Sequence, residues 1–347
     1  MIEIRGAGPV GCVLALELFR SGKSVALVEK NKPSSSFRPI ALSHASRLIL
    51  ERVGAWRALS PTPIETIHVS QQGAFGRARL AAAEAGVPAL GYVLDYGDLV
   101  QVLFSRVKNE SIPVQAQTAE PLLVAHAEGF AEDAREERYP HDALVASVAV
   151  EPAAAGVAWE RFTPEGPLAL LPLAGRYAIV WAMSPERAQA LAAAPAGKFL
   201  GELQQAFGTR AGRFTEVAAR ARVPLSLRVR ASRVGSRAAY VGNSAQALHP
   251  VAGQGLNLGL RDAWELAQVL HDAVDPGDAR VLARYAAMRR LDAAATVRVT
   301  DFLARGFLGA GRTRRWIRGI GLTALDTCLP ARRFFARRMI YGASALP

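Results

Sequence analysis

The opening stretch MIEIRGAGPVGCVLALELFRSGKSVALVEK (Met1–Lys30) leaves a chain few ways to fold. Ile2 and Ile4 alternate with polar residues, as in a short strand. Gly6, Gly8 and Gly11 follow in the spacing G-x-G-x-x-G. Val10, Val13, Leu14 and Leu18 recur at helical intervals, Ser21-Gly22 stops the helix, and Val25–Val28 reads as a buried second strand ending at Glu29. Each glycine has a mechanical job in a strand–turn–helix that holds a dinucleotide. Gly6 permits the tight turn, Gly8 lets backbone approach a pyrophosphate, and Gly11 lets the helix pack on the strand. The helix N-terminus offers free N–H groups and the positive end of its dipole to phosphates. Glu29, about 20 residues beyond the turn, is placed to accept hydrogen bonds from ribose hydroxyls, with Lys30 beside it. The acid favours an unphosphorylated ribose, so FAD or NAD over bound NADP, and this stretch alone does not choose between them.

Half of the 347 residues are hydrophobic and 21% are charged, enough for a large core and against wholesale disorder. The formal net charge of +12 calls for an anionic partner: a phosphate-bearing cofactor, an acidic lipid surface or a nucleic acid. Two cysteines, Cys12 and Cys328, exclude a disulfide framework and suit a reducing cytoplasm. No targeting segment is read, and no run approaches the roughly 18 apolar residues of a membrane span. A cytoplasmic protein is expected, soluble or peripheral on the inner face of the cell membrane. The six histidines show no metal-ligand spacing, so no metal is expected, and there is no serine nucleophile elbow and no Cys–His pair. Redox chemistry would come from the bound cofactor.

A second glycine-rich turn, GNSAQALHPVAGQGLNLGLRDA (Gly242–Ala263), lies between a strand and a helix. With the N-terminal pattern, with RPIALSHASRLILERVGAW (Arg38–Trp56), GYVLDYGDLVQVL (Gly91–Leu103) and ERFTPEGPLALLPL (Glu160–Leu173), it carries a resemblance over most of the chain. The chain resembles the group A flavoprotein aromatic hydroxylases of the p-hydroxybenzoate hydroxylase fold, and within them the ubiquinone-biosynthesis hydroxylase family.

The resemblance implies an α/β fold: a Rossmann-like FAD-binding domain, an inserted mostly β substrate domain (an α+β insertion) and a C-terminal helical region. The expected bounds are 1–70, 91–138 and 236–296 for the FAD-binding domain, 71–90 and 139–235 for the substrate domain, and 297–347 for the basic helical region. Alternation and β-branched content support strands through 139–235, with helices after Ser184 and around 197–208. Leu168, Leu170, Leu171 and Leu173 are candidate lining for a substrate cavity, the other reading, and the one that fits most such residues, being ordinary core.

The resemblance also implies site residues. Gly242 and Asn243 would lie along the ribitol and pyrophosphate. Pro250, Gly253, Gln254, Gly255, Leu256 and Asn257 would line the isoalloxazine ring, with Pro250 at its reactive side. The glycines suit a flat ring against bare backbone, and the helix-start N–H groups suit negative charge developing on the reduced ring. His249 is a candidate base, the other reading being a turn-former. Arg38 would contact the flavin, the other reading being a solvated loop arginine. Two positions depart from the family: Asn243 stands where an aspartate is usual, and Glu128-Gly129 stands for Asp-Gly. The segment 105–121 is also short.

The implied reaction is hydroxylation of a polyprenylated phenol in ubiquinone biosynthesis. NAD(P)H would reduce FAD transiently, and O2 would add to give a flavin C4a-hydroperoxide that the electron-rich ring attacks. Two other readings fit the residues: a degenerate member acting as an accessory subunit of a biosynthetic complex, and a flavin-dependent dehydrogenase or reductase. The tail sets Arg312, Arg314, Arg315, Arg318, Arg332, Arg333, Arg337 and Arg338 beside Trp316, Ile317, Phe334 and Phe335. It reads as a solvated helix face, a membrane-surface contact or a docking surface for other biosynthetic proteins. No nucleic-acid motif accompanies the charge.

Overall fold

The computed structural model describes residues 1–29, 38–115, 119–129, 134–248, 253–306 and 312–342. β1 (Ile2–Arg5), α1 (Pro9–Arg20) and β2 (Val25–Val28) form the β-α-β unit read from the sequence, the strands parallel with Ile2 opposite Val25. There follow β3 (Pro39–Ser43), α2 (His44–Arg52), β4 (Thr62–Ile64), β5 (Thr66–Gln71), β6 (Arg77–Ala81), α3 (Ala82–Ala85) and β7 (Gly91–Asp95). α4 (Tyr96–Asn109), β8 (Val114–Gln115) and β9 (Leu123–His126) complete the first half. The middle consists of β10 (Arg135–Glu151), β11 (Val157–Phe162), β12 (Pro167–Leu173), β13 (Arg176–Met183), α5 (Pro185–Ala193), α6 (Ala196–Phe207) and β14 (Arg213–Val229). The chain returns through β15 (Val234–Gly235), β16 (Ala238–Tyr240) and β17 (Gln246–Ala247) to α7 (Gln254–His271), α8 (Ala279–Gly306), α9 (Arg312–Thr327) and α10 (Leu329–Tyr341).

Three sheets result. A six-stranded sheet, ordered β15-β16-β9-β1-β2-β8, puts β1 inside, parallel to both β2 and β9. α1 packs between this sheet, α4 and α7 over a core that includes Ile4, Val13, Leu14, Leu27, Leu103 and Leu266. β16, from late in the chain, pairs parallel to β9, so this domain is assembled from distant segments. An eight-stranded sheet runs β17-β14-β10-β13-β12-β11-β5-β6, antiparallel except where β11 meets β5. A three-stranded sheet, β3-β7-β4, touches α7 on one side and β12 on the other, bridging the two larger units.

Strand periodicity divides the eight-stranded sheet into two surfaces. Leu144, Ala146, Leu168, Leu170, Ile179 and Trp181 bury themselves under α5 and α6. The intervening residues Ala143, Ala169, Leu171, Val180 and Ala182 face a cavity on the other side. Among the candidate lining leucines only Leu171 therefore lines the cavity. Leu168 and Leu170, one residue out of phase, are fully buried in the core beneath the helices, and Leu173 packs near Ile64 and Val93.

At the α7–α8 crossing lies a buried ion cluster. Arg289 Nε donates to Asp262 Oδ1 at 2.6 Å, Nη1 to Glu265 at 2.8 Å and Nη2 to Asp292 at 2.9 Å. Arg261 bonds Asp292 at 2.8 Å and Arg233 reaches Asp262 at 3.3 Å. Three acids thus balance three arginines, which is what makes their burial tolerable. Replacing Arg289 by Met removes one cation and strands buried acid. The expected loss is about 3–5 kcal/mol, read as a lowered urea midpoint with unchanged slope.

Candidate active site

One cavity of about 1320 Å³ lies between the glycine turns, the inner face of the eight-stranded sheet, and α9 with α10. It exceeds the roughly 300–1,000 Å³ of an ordinary small-ligand site, leaving room for a dinucleotide and a second molecule.

At one end are the phosphate-binding elements. α1 starts at Gly8 with no side-chain cap and no acid in its first turn, and Pro9 occupies its first position, so its free N–H groups face the cavity. Glu29 sits at the end of β2 and accepts a hydrogen bond from Ala7 N–H at 2.5 Å, which holds its carboxylate beside the turn. α7 begins in the same way. Its N-cap Gly253 is left-handed at φ 59°, without a side-chain cap or a first-turn acid. Two positive dipole ends therefore address one cavity.

The glycines fall into two groups. Gly6 and Gly11 are forced by the protein: a Cβ on Gly6 would lie 2.7 Å from the Ala127 backbone, and one on Gly11 would run into the Gly6 carbonyl. Gly259 is likewise forced, with Val10 Cγ2 at 2.8 Å and Gly242 Cα at 3.0 Å from its added Cβ. Gly8 and Gly255 are different. A Cβ on Gly8 would meet only the Tyr96 hydroxyl, at 3.6 Å, and one on Gly255 would meet nothing within 4 Å. Packing does not require these two to be bare, and their open backbone leaves room for a ligand to lie against it.

Other sequence-predicted residues converge on the same cavity. Gly242 donates its N–H to Asp262 at 3.1 Å, and the Asn243 side chain has no hydrogen-bond partner among the described residues. Gly129 N–H donates to Ser244 Oγ at 3.0 Å, laying the Glu128-Gly129 loop against this turn. Burial opposes ionisation of Glu128, but His126, with Nδ1 at 2.9 Å, and a backbone hydrogen bond outweigh it and hold the carboxyl below its usual range. Arg38 lines the cavity with its guanidinium 4.8 Å from the Tyr96 ring centre, and its backbone N–H donates to Asp95 Oδ2 at 3.0 Å. Gln254 and Leu256 also line it. Asn257 is buried, and its amide is fully engaged within the protein. Its Oδ1 accepts from Ser43 N–H at 2.8 Å and Ser46 Oγ at 2.7 Å, while Nδ2 donates to Ala41 and Gly253 carbonyls at 2.9 and 2.7 Å. The side chain ties α7 to β3 and α2, leaving only backbone for a ligand. Lys30, His249 and Pro250 lie outside the described residues.

Two features were not read from the sequence. α9 and α10 form part of the cavity wall, through Arg318, Leu322, Leu325, Phe335 and Met339. An acid, Glu160 on β11, also lines the cavity, and burial pushes its carboxyl up to about 7.

Residues 128–300 match the FAD binding domain family. Ubiquinone hydroxylase UbiL of Rhodospirillum rubrum is 32% identical over 97% of this chain and 88% of its own length. The chain belongs to the FAD-dependent hydroxylase family of ubiquinone biosynthesis. A second relative, 3-demethoxyubiquinol 3-hydroxylase of Escherichia coli, is 30% identical over 94% of each chain. Among solved structures, p-nitrophenol 4-monooxygenase PnpA of Pseudomonas putida superposes with a TM-score of 0.79 at 16% identity, covering 99% of this chain and 98% of that one. An HpxO variant of Klebsiella pneumoniae complexed with FAD gives 0.78 at 14% identity, covering 99% of each chain. Likeness at that identity speaks to the fold.

As a family member the chain has the cradle that FAD needs: two uncapped helix ends for charge, and bare backbone at Gly8 and Gly255. Gly255→Ala should leave thermal stability unchanged or raise it slightly, alanine being favoured in a helix by about 0.5–1 kcal/mol. The same change should weaken FAD binding at least tenfold in a flavin fluorescence titration. Gly11→Ala should instead lower the melting temperature, because its Cβ meets protein.

Proposed function

We propose that the protein is an FAD-dependent monooxygenase that hydroxylates the aromatic ring of a polyprenylated phenol in ubiquinone biosynthesis, with NAD(P)H as transient reductant. The observation that carries this reading is the division of one cavity into a backbone cradle and a hydrocarbon chamber. When bound, the flavin supplies activation of molecular oxygen. The chain's own residues do the rest.

Gly6, Gly8, Gly11 and the start of α1 would hold the pyrophosphate, with Glu29 at the ribose. Gly242 and Asn243 would lie along the ribitol, where Asn243 keeps the acceptor oxygen of the usual aspartate without its charge. Arg38 and Glu128 would border the flavin, as would the described part of the late turn, Gly253–Asn257. The N–H groups of the first turn of α7 would stabilise negative charge on the ring. His249 and Pro250 complete that list of proposed contacts. Ile67, Leu80, Leu171 and Leu225 on the sheet side, with Leu322 and Phe335 opposite, would exclude water and receive the apolar tail.

The inserted sheet and its helices would serve as substrate domain, and the C-terminal helices as a membrane-facing region. No described helix is long and apolar enough to cross a membrane. Trp316, Ile317, Ile320 and Phe334 are nevertheless 61, 65, 59 and 72% exposed beside the arginine-rich faces of α9 and α10. A basic, aromatic face of this kind suits an anionic headgroup layer, and it would bring an insoluble substrate to the cavity wall.

Purified protein reconstituted with FAD, NAD(P)H and a short-chain prenylphenol should yield a hydroxylated ring carrying label from 18O2. Protein that takes up FAD and oxidises NAD(P)H without labelled product would point to a dehydrogenase or reductase. Failure to take up FAD at high micromolar concentration would point to an accessory subunit. In flotation assays the protein should bind vesicles containing phosphatidylglycerol several-fold better than neutral phosphatidylcholine vesicles, with the difference shrinking as salt rises.

A further inference from the structure

β11 presents Ala158, Glu160 and Phe162 to the cavity on alternate positions. In the sheet register Glu160 stands between Val69 on β5 and Ala169 on β12, both also lining the cavity. The acid thus sits in a hydrocarbon patch, and no hydrogen bond or ion pair joins it to a described residue. Its remaining accessible surface opens onto the cavity. A half-buried carboxyl on an apolar sheet face without a protein partner destabilises a fold, so such a group needs a reason to be there.

The cavity's polar demands are otherwise met at its cradle end. The two helix N-termini serve the phosphates of a dinucleotide, whose charge calls for donors and not for a lone acceptor on an apolar sheet face. A prenylated phenol does: it is hydrocarbon apart from its ring oxygens, and its hydroxyl needs an acceptor. We propose that Glu160 receives the ring hydroxyl of the substrate and takes its proton as the ring reacts. This rests on the hydroxylase reading above.

The step balances simply. The phenol O–H bond breaks, a new O–H bond forms on a Glu160 carboxylate oxygen, and the electron pair stays on the phenol oxygen. That pair raises electron density at the ortho and para carbons, the positions an oxygen electrophile would attack. Nothing is oxidised or reduced in the transfer, and the acid returns the proton to the phenol oxygen once the attacked ring carbon has lost its own hydrogen and the ring is aromatic again. Burial, the sole cause of the shift, pushes Glu160 to about 7. A base matched to the working pH is the most effective kind, and it lies closer to a phenol near 10 than an ordinary glutamate near 4.3 does. From the opposite wall, α9 brings Arg318, whose guanidinium lies 5.9 Å from the Phe162 ring centre, and burial followed by Arg315 lowers its own pKa. Among the described residues the other titratable groups lining the cavity are Arg5, Glu29, Arg38, Tyr96 and Glu128.

The test compares FAD-reconstituted wild type with Glu160→Gln, using 4-nitrophenol, whose colour reports its own ionisation. In wild type the bound probe and the carboxyl should share one proton, so the probe's apparent ionisation constant should be at least tenfold lower than in Glu160→Gln. With a prenylphenol, kcat/KM should rise through about pH 7 in wild type. In the variant that limb should vanish, and kcat should fall on the order of 10²–10⁴-fold with FAD binding unchanged. Folding is checked independently. The folded-state pKa is raised, so the unfolded chain gives up its proton first and wild-type stability should decline as pH rises from about 4.3 to about 7. Glu160→Gln should lack that decline. Equal ionisation of the bound probe in both proteins, with the pH limb intact in the variant, would overturn the assignment of Glu160 alone. Wild type that binds FAD but no phenol would overturn the hydroxylase reading with it.

Discussion

The carboxylate of Asp262 is the point on which the site depends. It accepts from Gly242 N–H, from Gln246 Nε2 at 2.8 Å, from Arg233 and from Arg289. These bonds join the late turn, β17 and α8 to the interior of α7. Because Gly242 and Gly259 both press on Val10, fixing the late turn also fixes the beginning of α1. The two dinucleotide turns, more than 200 residues apart in sequence, are held against each other by one neutral set of charges. The end of α10 docks on the same set. Gly342, at φ 77°, sits so close to Asp292 and Arg261 that no side chain would fit.

From that anchor the cavity's chemistry divides along its length. Backbone N–H groups and glycines serve the cradle end, where charge is supplied by dipoles rather than by side chains. Alternate residues of a β-sheet serve the other end, where the requirement is dryness. Asn257 shows how strictly the two tasks are separated. A residue expected at the flavin has its whole amide engaged in bracing β3 and α2 against α7, and so positions the helix end.

The N-terminal unit was legible because its signals are local: an alternation, three glycines, a helical repeat and a terminal acid within one stretch. The middle strands were legible for the same reason. What periodicity cannot say is which of two faces is covered by helices, and so it could not tell that Leu168 and Leu170 are core while Leu171 and Ala169 line the cavity. Glu160 is not legible in the sequence because an acid in an apolar strand ordinarily faces water, and only the covering of both sheet faces makes it unusual. The pairing of Arg261 with Asp292, 31 positions away, depends on how α7 crosses α8, which no local pattern encodes. The cavity-lining role of α9 and α10 is masked in the sequence by their arginines, whose charge reads as a solvent-facing or headgroup-facing surface.

The two-faced sheet has a consequence for how such enzymes diversify. Side chains that hold α5 and α6 and side chains that shape the chamber alternate along the same strands, so selection can act on one set with little penalty in the other. Val69, Ala169, Leu171 and Val180 can drift in size and reshape the space for a ring or a tail while Leu168, Leu170, Ile179 and Trp181 keep the scaffold standing. A lineage built on this sheet can therefore change its diet of aromatic compounds through a few independent steps, none of which needs a compensating change in the core.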